Sequence, residues 1–420
     1  MNSRKGTLME VSRIEGEVCK TTRTLWEEVF YEDSVQFTDY YFENKATKNI
    51  GYVIGQAPYD AMMFRTPYTL QIGKVQKEIS YIVGVATRKE CRHRGCMREL
   101  LMDSFRDMYQ EKNPFTFLMP ANPAIYEPFD FKYIYERDVW ELKEPGRVVS
   151  ILESLTFQEK ECELRAAEFI YDDQMENEVK SEPIVAECPN SGLGKYGINN
   201  ELNGLYSVRN LQKQFQRFPI LKLLAEFANQ YMKKNYNIYV HRDTAYYEIQ
   251  LKESEAQNGD IYVLFEQGKI KAFFLYAKEG EEIFIQEVIE EKEGMLDFLQ
   301  EVEKKQPIIM ARIIHLEEMM KLVCSKEKKT VVIEIEDELI PENAGVYKWE
   351  ITPDGSRVIR IEKKRVASLK ASQPESKKEN IIKEKSGKGY ENIDTEPDIS
   401  MHIRDFAPWV LTGTFINEIV

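Results

Sequence analysis

The stretch ISYIVGVATRKECRHRGCMRELL sets an apolar strand before a basic turn and an amphipathic helix. That order has a chemical use. A helix start presents backbone N–H groups without partners and the positive end of the helix dipole, and together they bind phosphate. Arg92, His93, Arg94, Gly95, Cys96 and Met97 follow the pattern R-x-x-G-x-[GA] except at the last place, where Met97 stands for a small residue. Gly95 lets the main chain approach a diphosphate, and Arg88, Lys89, Arg92, Arg94 and Arg98 concentrate positive charge in a chain of formal net charge −14. The chemistry expected here is the gripping of a nucleotide-like diphosphate. Cys91 and Cys96 flank the turn, but no histidine stands where it would make either a nucleophile. His93, His241, His315 and His402 have no Cys or carboxylate partners at ligand spacing, so no metal site is expected.

Several elements must position that turn. From Cys19 to Lys45 apolar residues recur at near-helical intervals with a break at Asp33-Ser34, which predicts two helices. Ile50 to Gly55, Ala61 to Ile72 and Glu78 to Thr87 read as an antiparallel meander. After the turn, Met97, Leu100, Leu101, Phe105 and Met108 share one helical face. Phe115 to Met119 is then a strand, Pro123 to Glu127 a short helix, and Phe131 to Leu142 a pair of strand fragments closed by Pro145 and Gly146.

The middle third repeats this order faintly. Gln212 to Lys234 reads as one long helix, followed by strands NIYVHRD, AYYEIQLK, DIYVLFE, IKAFFLYA and IFIQEVI, and then a helix around Met295 to Val302. The junction before that last helix, EEKEG, is acidic where the first is basic. From Pro307 onward TVVIEIEDELI, GVYKWEI and RVIRIEK are strands, the last two joined by a Thr352-Pro353-Asp354-Gly355 turn. Lys370 to Pro397 is polar and Lys-rich, a surface insertion, and the apolar FINEIV at the end should be docked.

With 420 residues, the chain has room for roughly two to three domains of ~150 residues. A hydrophobic content of 43% excludes wholesale disorder, and the acidic balance argues against a nucleic-acid or acidic-membrane partner. No run approaches the ~20 apolar residues of a membrane span. The opening MNSRKGTLMEVSRIEGEV lacks a signal-peptide core, and the six cysteines form no CxxC pair, so a cytoplasmic location is expected.

Strand, basic turn, helix, second strand, Tyr on a short helix and final aromatic strand together resemble the GNAT acetyltransferases. The whole chain resembles the enhanced intracellular survival (Eis-type) members, through VATRKECRHRGCMRELL, IYEPFDF after LMPANPA, IYVHRDTAYYEIQL, PIIMARI and the terminal FINEIV. The resemblance implies an α/β (α+β) fold with three parts. These are a catalytic GNAT domain over 1–146, a degenerate GNAT-like domain over 147–306, and a sterol-carrier-protein-like domain over 307–420 with a polar insertion at about 370–397. It implies acetyl-CoA as co-substrate, held by Val83, Val85, Thr87, Arg92, His93, Arg94, Gly95, Cys96 and Met97.

Moving an acetyl group from a thioester to an amine needs a base, a donor for the oxyanion and an acid for the thiolate. The resemblance makes Tyr126 the acid and the C-terminal carboxylate of Val420 the base, with Glu418, Glu27 and Glu28 as rivals; the Val85 N–H would be the oxyanion donor. The expected acceptor is a primary amine of a small cationic or lysine-bearing substrate, and the expected assembly a homo-oligomer, a hexamer by family likeness. The alternative is a non-catalytic protein that holds acyl-CoA or a lipid.

Overall fold

The computed structural model of the chain describes residues 9–157, 204–214, 219–266, 269–280, 282–361 and 396–417. It opens with β1 (Val11–Glu15), α1 (Arg23–Val29) and α2 (Val35–Asn44). The two helices separate where Ser34 caps α2, its hydroxyl accepting from the Phe37 N–H at 3.1 Å. The meander is β2 (Ile50–Ile54), β3 (Ala61–Ile72) and β4 (Val75–Thr87), antiparallel throughout, with β1 on its outer edge. A crossover connection through α3 (Cys96–Gln110) leads to β5 (Phe115–Leu118), which pairs with β4 in parallel. Then come α4 (Pro123–Tyr126) and β6 (Lys132–Leu142). β6 is one strand with a bulge at Ile134 rather than two fragments, because β12 (Leu299–Ile313) pairs with its whole length.

Pro145 and Gly146, where the first part was expected to close, stand at the start of a helix. Pro145 opens α5 (Pro145–Phe157), where a missing N–H is no loss in the first turn. The long helix expected at 212–234 is two, α6 (Val208–Gln214), after β7 (Leu205–Ser207), and α7 (Ile220–Asn235), with Pro219 at the N-cap of the second. β8 (Ile238–Val240) follows. AYYEIQLK, expected as a strand, lies in α8 (Thr244–Ala256), where the Asp243 carboxylate caps the Tyr246 N–H at 2.8 Å and Tyr247, Leu251 and Ser254 form the buried face. β9 (Asp260–Glu266), β10 (Lys269–Glu279) and β11 (Glu282–Glu290) repeat the antiparallel meander.

The helix expected at 295–302 is absent: Leu299 already begins β12. This strand lies between β5 and β6, pairing Met310 with Leu118 on one side and Leu299 with Leu142 on the other. One continuous sheet therefore runs β1-β2-β3-β4-β5-β12-β6-β11-β10-β9-β7 among the described residues. The division placed at 306 and 307 falls inside β12, so the two halves share strands. Between β6 and β11 the recorded register is a single pair, Trp140 with Ile285.

The remainder is α9 (Leu316–Leu322), then β13 (Lys329–Glu336), β14 (Gly345–Thr352), β15 (Gly355–Ile361) and β16 (Ile399–His402) in a second sheet ordered β15-β14-β13-β16. The expected hairpin turn joins β14 to β15. Most of the expected insertion, 370–395, lies outside the described residues. α10 (Ile403–Val410) and β17 (Thr414–Phe415) end the chain's described part; β17 pairs with β8, which itself lies on the far end of β3. No helix is long and apolar enough to cross a membrane among the described residues.

Candidate active site

β4 does not run straight. Met62 pairs with Ala86 and Phe64 with Val83, so Gly84 and Val85 together face Met63 alone, a bulge. Gly84 takes a φ of +62°, the left-handed value that favours glycine at such a place. A Cβ there would also sit 2.7 Å from Cζ3 of Trp26. The isolated glycine in IVGVAT, within an otherwise apolar strand pattern, is the one sequence signal for this bulge.

β4 and β5 pair at Ser80 with Thr116 and at Tyr81 with Phe117, and no further. The Thr116 hydroxyl donates to the Ser80 carbonyl at 2.7 Å and locks the point of departure. Beyond it β4 continues to Thr87 without β5, leaving a gap flanked by Val83, Val85 and Thr87 on one side and by the chain after Leu118 on the other. A free strand edge beside a gap offers amides to an extended ligand.

At the end of β4 the basic turn is exposed. Arg92 donates from Nε to the Thr87 carbonyl at 3.2 Å, and Arg88 pairs with Glu28 at 3.1 Å, while Arg92 and Arg94 make no ion pair among the described residues. His93 and Gly95 both take positive φ, 62° and 91°. Gly95 is the N-cap of α3 and has no atom within 4 Å of where a Cβ would stand. The first helix bond runs from the Glu99 N–H to the Gly95 carbonyl at 3.1 Å, so the N–H groups of Cys96, Met97 and Arg98 precede the ladder. These groups fit a diphosphate.

Cys96 reaches it only through its backbone, since its thiol is buried beside the Cys91 carbonyl and burial pushes its pKa up. Burial and the neighbouring Asp60 raise Cys91 too, which suits neither for nucleophilic work. Met97 packs against the core of Leu100, Leu101 and Tyr126, so its bulk is turned inward.

Asn122 caps α4, its side-chain oxygen accepting from the Ala124 N–H at 3.0 Å, and Pro123 sets the first turn. This places Tyr126 in the core on the α3 side, 9% exposed, its ring edge-on to Phe131 at 5.9 Å. Burial pushes the phenol up to about 12. Its hydroxyl has no hydrogen bond among the described residues, so it is available.

Of the candidate bases, Glu27 is tied to Arg23 at 2.7 Å and Glu28 to Arg88 at 3.1 Å. Glu418 and Val420 lie outside the described residues. The chain leading to them is docked as expected: Ile416 is buried, the Phe415 ring lies 5.4 Å from Tyr135 of β6, and Asn417 donates to the Gln286 carbonyl of β11 at 2.6 Å.

Three residues with no site role assigned from sequence complete the surroundings. Trp26 covers the bulge from the α1 side. Arg312, on β12, donates from Nε to the Phe129 carbonyl at 3.0 Å and pairs with Asp337 at 2.8 Å, bracing the loop after Tyr126. Tyr135 lines a cavity of about 490 Å³ with Glu136, Asp138, Tyr236, Lys305 and Thr414, away from the α3 start. Their partners are distant in sequence, so no local pattern marked them.

Residues 11–134 match the family model described as the acetyltransferase (GNAT) domain. No curated protein matches the sequence. Among solved structures, a probable N-acyltransferase from Enterococcus faecalis is similar at 15% identity and TM-score 0.58, over 84% of this chain and 86% of that one. A GCN5-related N-acetyltransferase from Anabaena variabilis is similar at 12% identity and TM-score 0.57, over 84% and 86%. Eis1 from Mycobacterium abscessus is similar at 10% identity and TM-score 0.56, over 96% and 89%. The chain thus carries a GNAT acetyltransferase domain in residues 11–134, within a whole-chain fold like that of Eis1.

Proposed function

We propose that the chain transfers an acetyl group from acetyl-CoA to a primary amine of a small cationic or lysine-bearing substrate, both substrates being bound together. The observation that carries this reading is the gap between β4 and β5, which opens beyond the Tyr81–Phe117 pair, passes the Gly84–Val85 bulge and leads to the N–H groups at the start of α3. Acetyl-CoA supplies an activated thioester carbonyl when bound. The N–H groups of Cys96, Met97 and Arg98, with Arg92, His93, Arg94 and Gly95, would hold its diphosphate. The β4 edge at Val83, Val85 and Thr87 would hold the pantetheine. The Val85 N–H stabilises charge on the thioester oxygen, and Tyr126 gives its proton to the departing sulfur.

For the base, the proposal is the carboxylate of Val420, which takes a proton from the ammonium so that nitrogen can form the new C–N bond as the C–S bond breaks. Two facts support it: Glu27 and Glu28 are already engaged by arginines, and the described chain stays docked as far as Asn417, which donates to the Gln286 carbonyl. The cavity beside Tyr135 has the Glu136 carboxylate in its wall, while Asp138 there is paired with Lys305 at 2.6 Å, so Glu136 is the group proposed to draw in a cationic acceptor.

The remaining parts are read by likeness. The second half keeps a meander but has no crossover helix after β11, which supports a degenerate GNAT-like unit. The β13–β16 sheet with α10 is proposed as sterol-carrier-like, and the assembly as a cytoplasmic homo-oligomer, a hexamer by family likeness. A thiol-release assay with acetyl-CoA and a panel of amines tests the reaction. Turnover should be lost on removal of Val420 while CoA affinity stays; no thiol release with any amine would refute the reading.

A further inference from the structure

We propose that Trp26 sets the length of the acyl group that the chain transfers, restricting the donor to acetyl and its nearest homologue. The inference rests on the reading of the β4–β5 gap as the donor site.

The two faces of the sheet at this point carry different residues. Ile82, Leu118, Met63 and Tyr126 share one apolar cluster; Val83, Phe64, Tyr81, Phe117 and Trp26 share the other. Adjacent strand residues such as Ile82 and Val83 point to opposite faces, so the clusters lie on opposite sides of β4. A thioester carbonyl carbon has three substituents in a plane. If its oxygen meets the Val85 N–H along the strand edge and its sulfur lies toward Tyr126, its acyl carbon is turned to the face of Trp26.

That face is filled at the bulge. A carbon added to Gly84 would stand 2.7 Å from Cζ3 of Trp26 and 3.2 Å from Cδ2 of Phe64. The indole cannot swing aside. It is 3% exposed, stacked on Tyr41 at 4.3 Å, tilted against Phe30 at 4.7 Å, and fixed through Nε1 to the Asp33 carboxylate at 2.8 Å. Tyr81 and Phe117, with ring centroids 5.1 Å apart, close the apex where the strands meet. A methyl group fits such a place more readily than a chain, because extra methylenes in a packed pocket displace its walls.

The test measures kcat/KM for acetyl-, butyryl- and hexanoyl-CoA with one amine, and calorimetric Kd for each donor and for CoA. It compares the wild type with Trp26→Ala and Trp26→Phe, the latter lacking the benzo ring that meets Gly84. The wild type should disfavour butyryl-CoA by about 10-fold or more, and Trp26→Ala should narrow that ratio by about 10-fold, with Trp26→Phe between. Thermal unfolding identifies a variant that fails to fold, in which case the Phe variant's ratio decides. An unchanged donor ratio in the folded variants, or a wild type that takes hexanoyl-CoA as readily as acetyl-CoA, overturns the proposal while leaving the donor site standing. Absence of CoA binding to the wild type overturns the donor site itself, and the proposal with it.

Discussion

The guanidinium of Arg312 and the carboxylate of Asp337 meet at 2.8 Å with both side chains shut off from solvent, joining β12 to the chain just after β13. Arg312 also lies 5.0 Å over the Phe105 ring and 3.7 Å from Asp130, and Asp337 accepts from the Ile340 N–H at 2.9 Å. Three parts of the molecule therefore converge on one charge pair. Removing the Asp337 charge leaves the buried guanidinium with only the more distant Asp130, at 3.7 Å, as a counter-charge. Asp337→Asn should cost about 3–5 kcal/mol in chemical denaturation, as broken buried pairs do. A loss below ~1 kcal/mol would mean that the pair does not hold the sheets together.

Gly84 makes a sharper local prediction. Gly84→Ala meets both a left-handed φ and the Trp26 ring, so it should destabilise by about 1–3 kcal/mol. It should also lower kcat/KM with acetyl-CoA by about 10-fold, because the bulge that carries the proposed oxyanion donor, the Val85 N–H, would shift. Wild-type activity in a folded Gly84→Ala protein would place the thioester elsewhere.

How much of this could be read beforehand depended on sequence distance. The β4–turn–α3 unit was legible because strand, basic turn and helix follow one another, and Ser34 announced the start of α2 through its own hydroxyl. Tyr246, Tyr247 and Ile249 suggested a strand by residue type, yet the Asp243 cap and contacts with α2 and α7 made a helix. The helix expected around Met295 to Val302 gave way when β12 found partners in β5 and β6, more than 150 residues away. Pairing across such distances leaves no local trace. For the same reason the Gly95 turn was visible in the sequence, whereas Trp26 over Gly84 and Arg312 under Phe129 were not.

Arg94 tests the anion end of the gap. It is exposed beside the α3 start and makes no ion pair among the described residues, so its removal should leave the fold intact. Arg94→Ala should raise KM for acetyl-CoA by about 10-fold, the effect of losing one charge-assisted contact of roughly 1.5 kcal/mol, with kcat nearly unchanged. The dependence of KM on salt should weaken as well, since one screened attraction has gone. Equal KM values for the two proteins would detach the basic turn from donor binding.

Tyr126 links pH to stability and, as the proposed acid, to rate. Burial favours its neutral form and pushes the phenol from the ordinary value near 10 up to about 12. Because the folded-state value is the higher one, the stabilisation is present below about pH 10 and is lost as pH rises toward 12. The same shift keeps the proton on the phenol where an acid needs it, so kcat should show no loss from this group between about pH 8 and 10. Tyr126→Phe should lower kcat by about 10²-fold or more while the calorimetric affinity for CoA is kept. A basic limb in kcat near pH 9 that survives in Tyr126→Phe would belong to another group, and a Phe variant with unchanged kcat would remove Tyr126 from the chemistry.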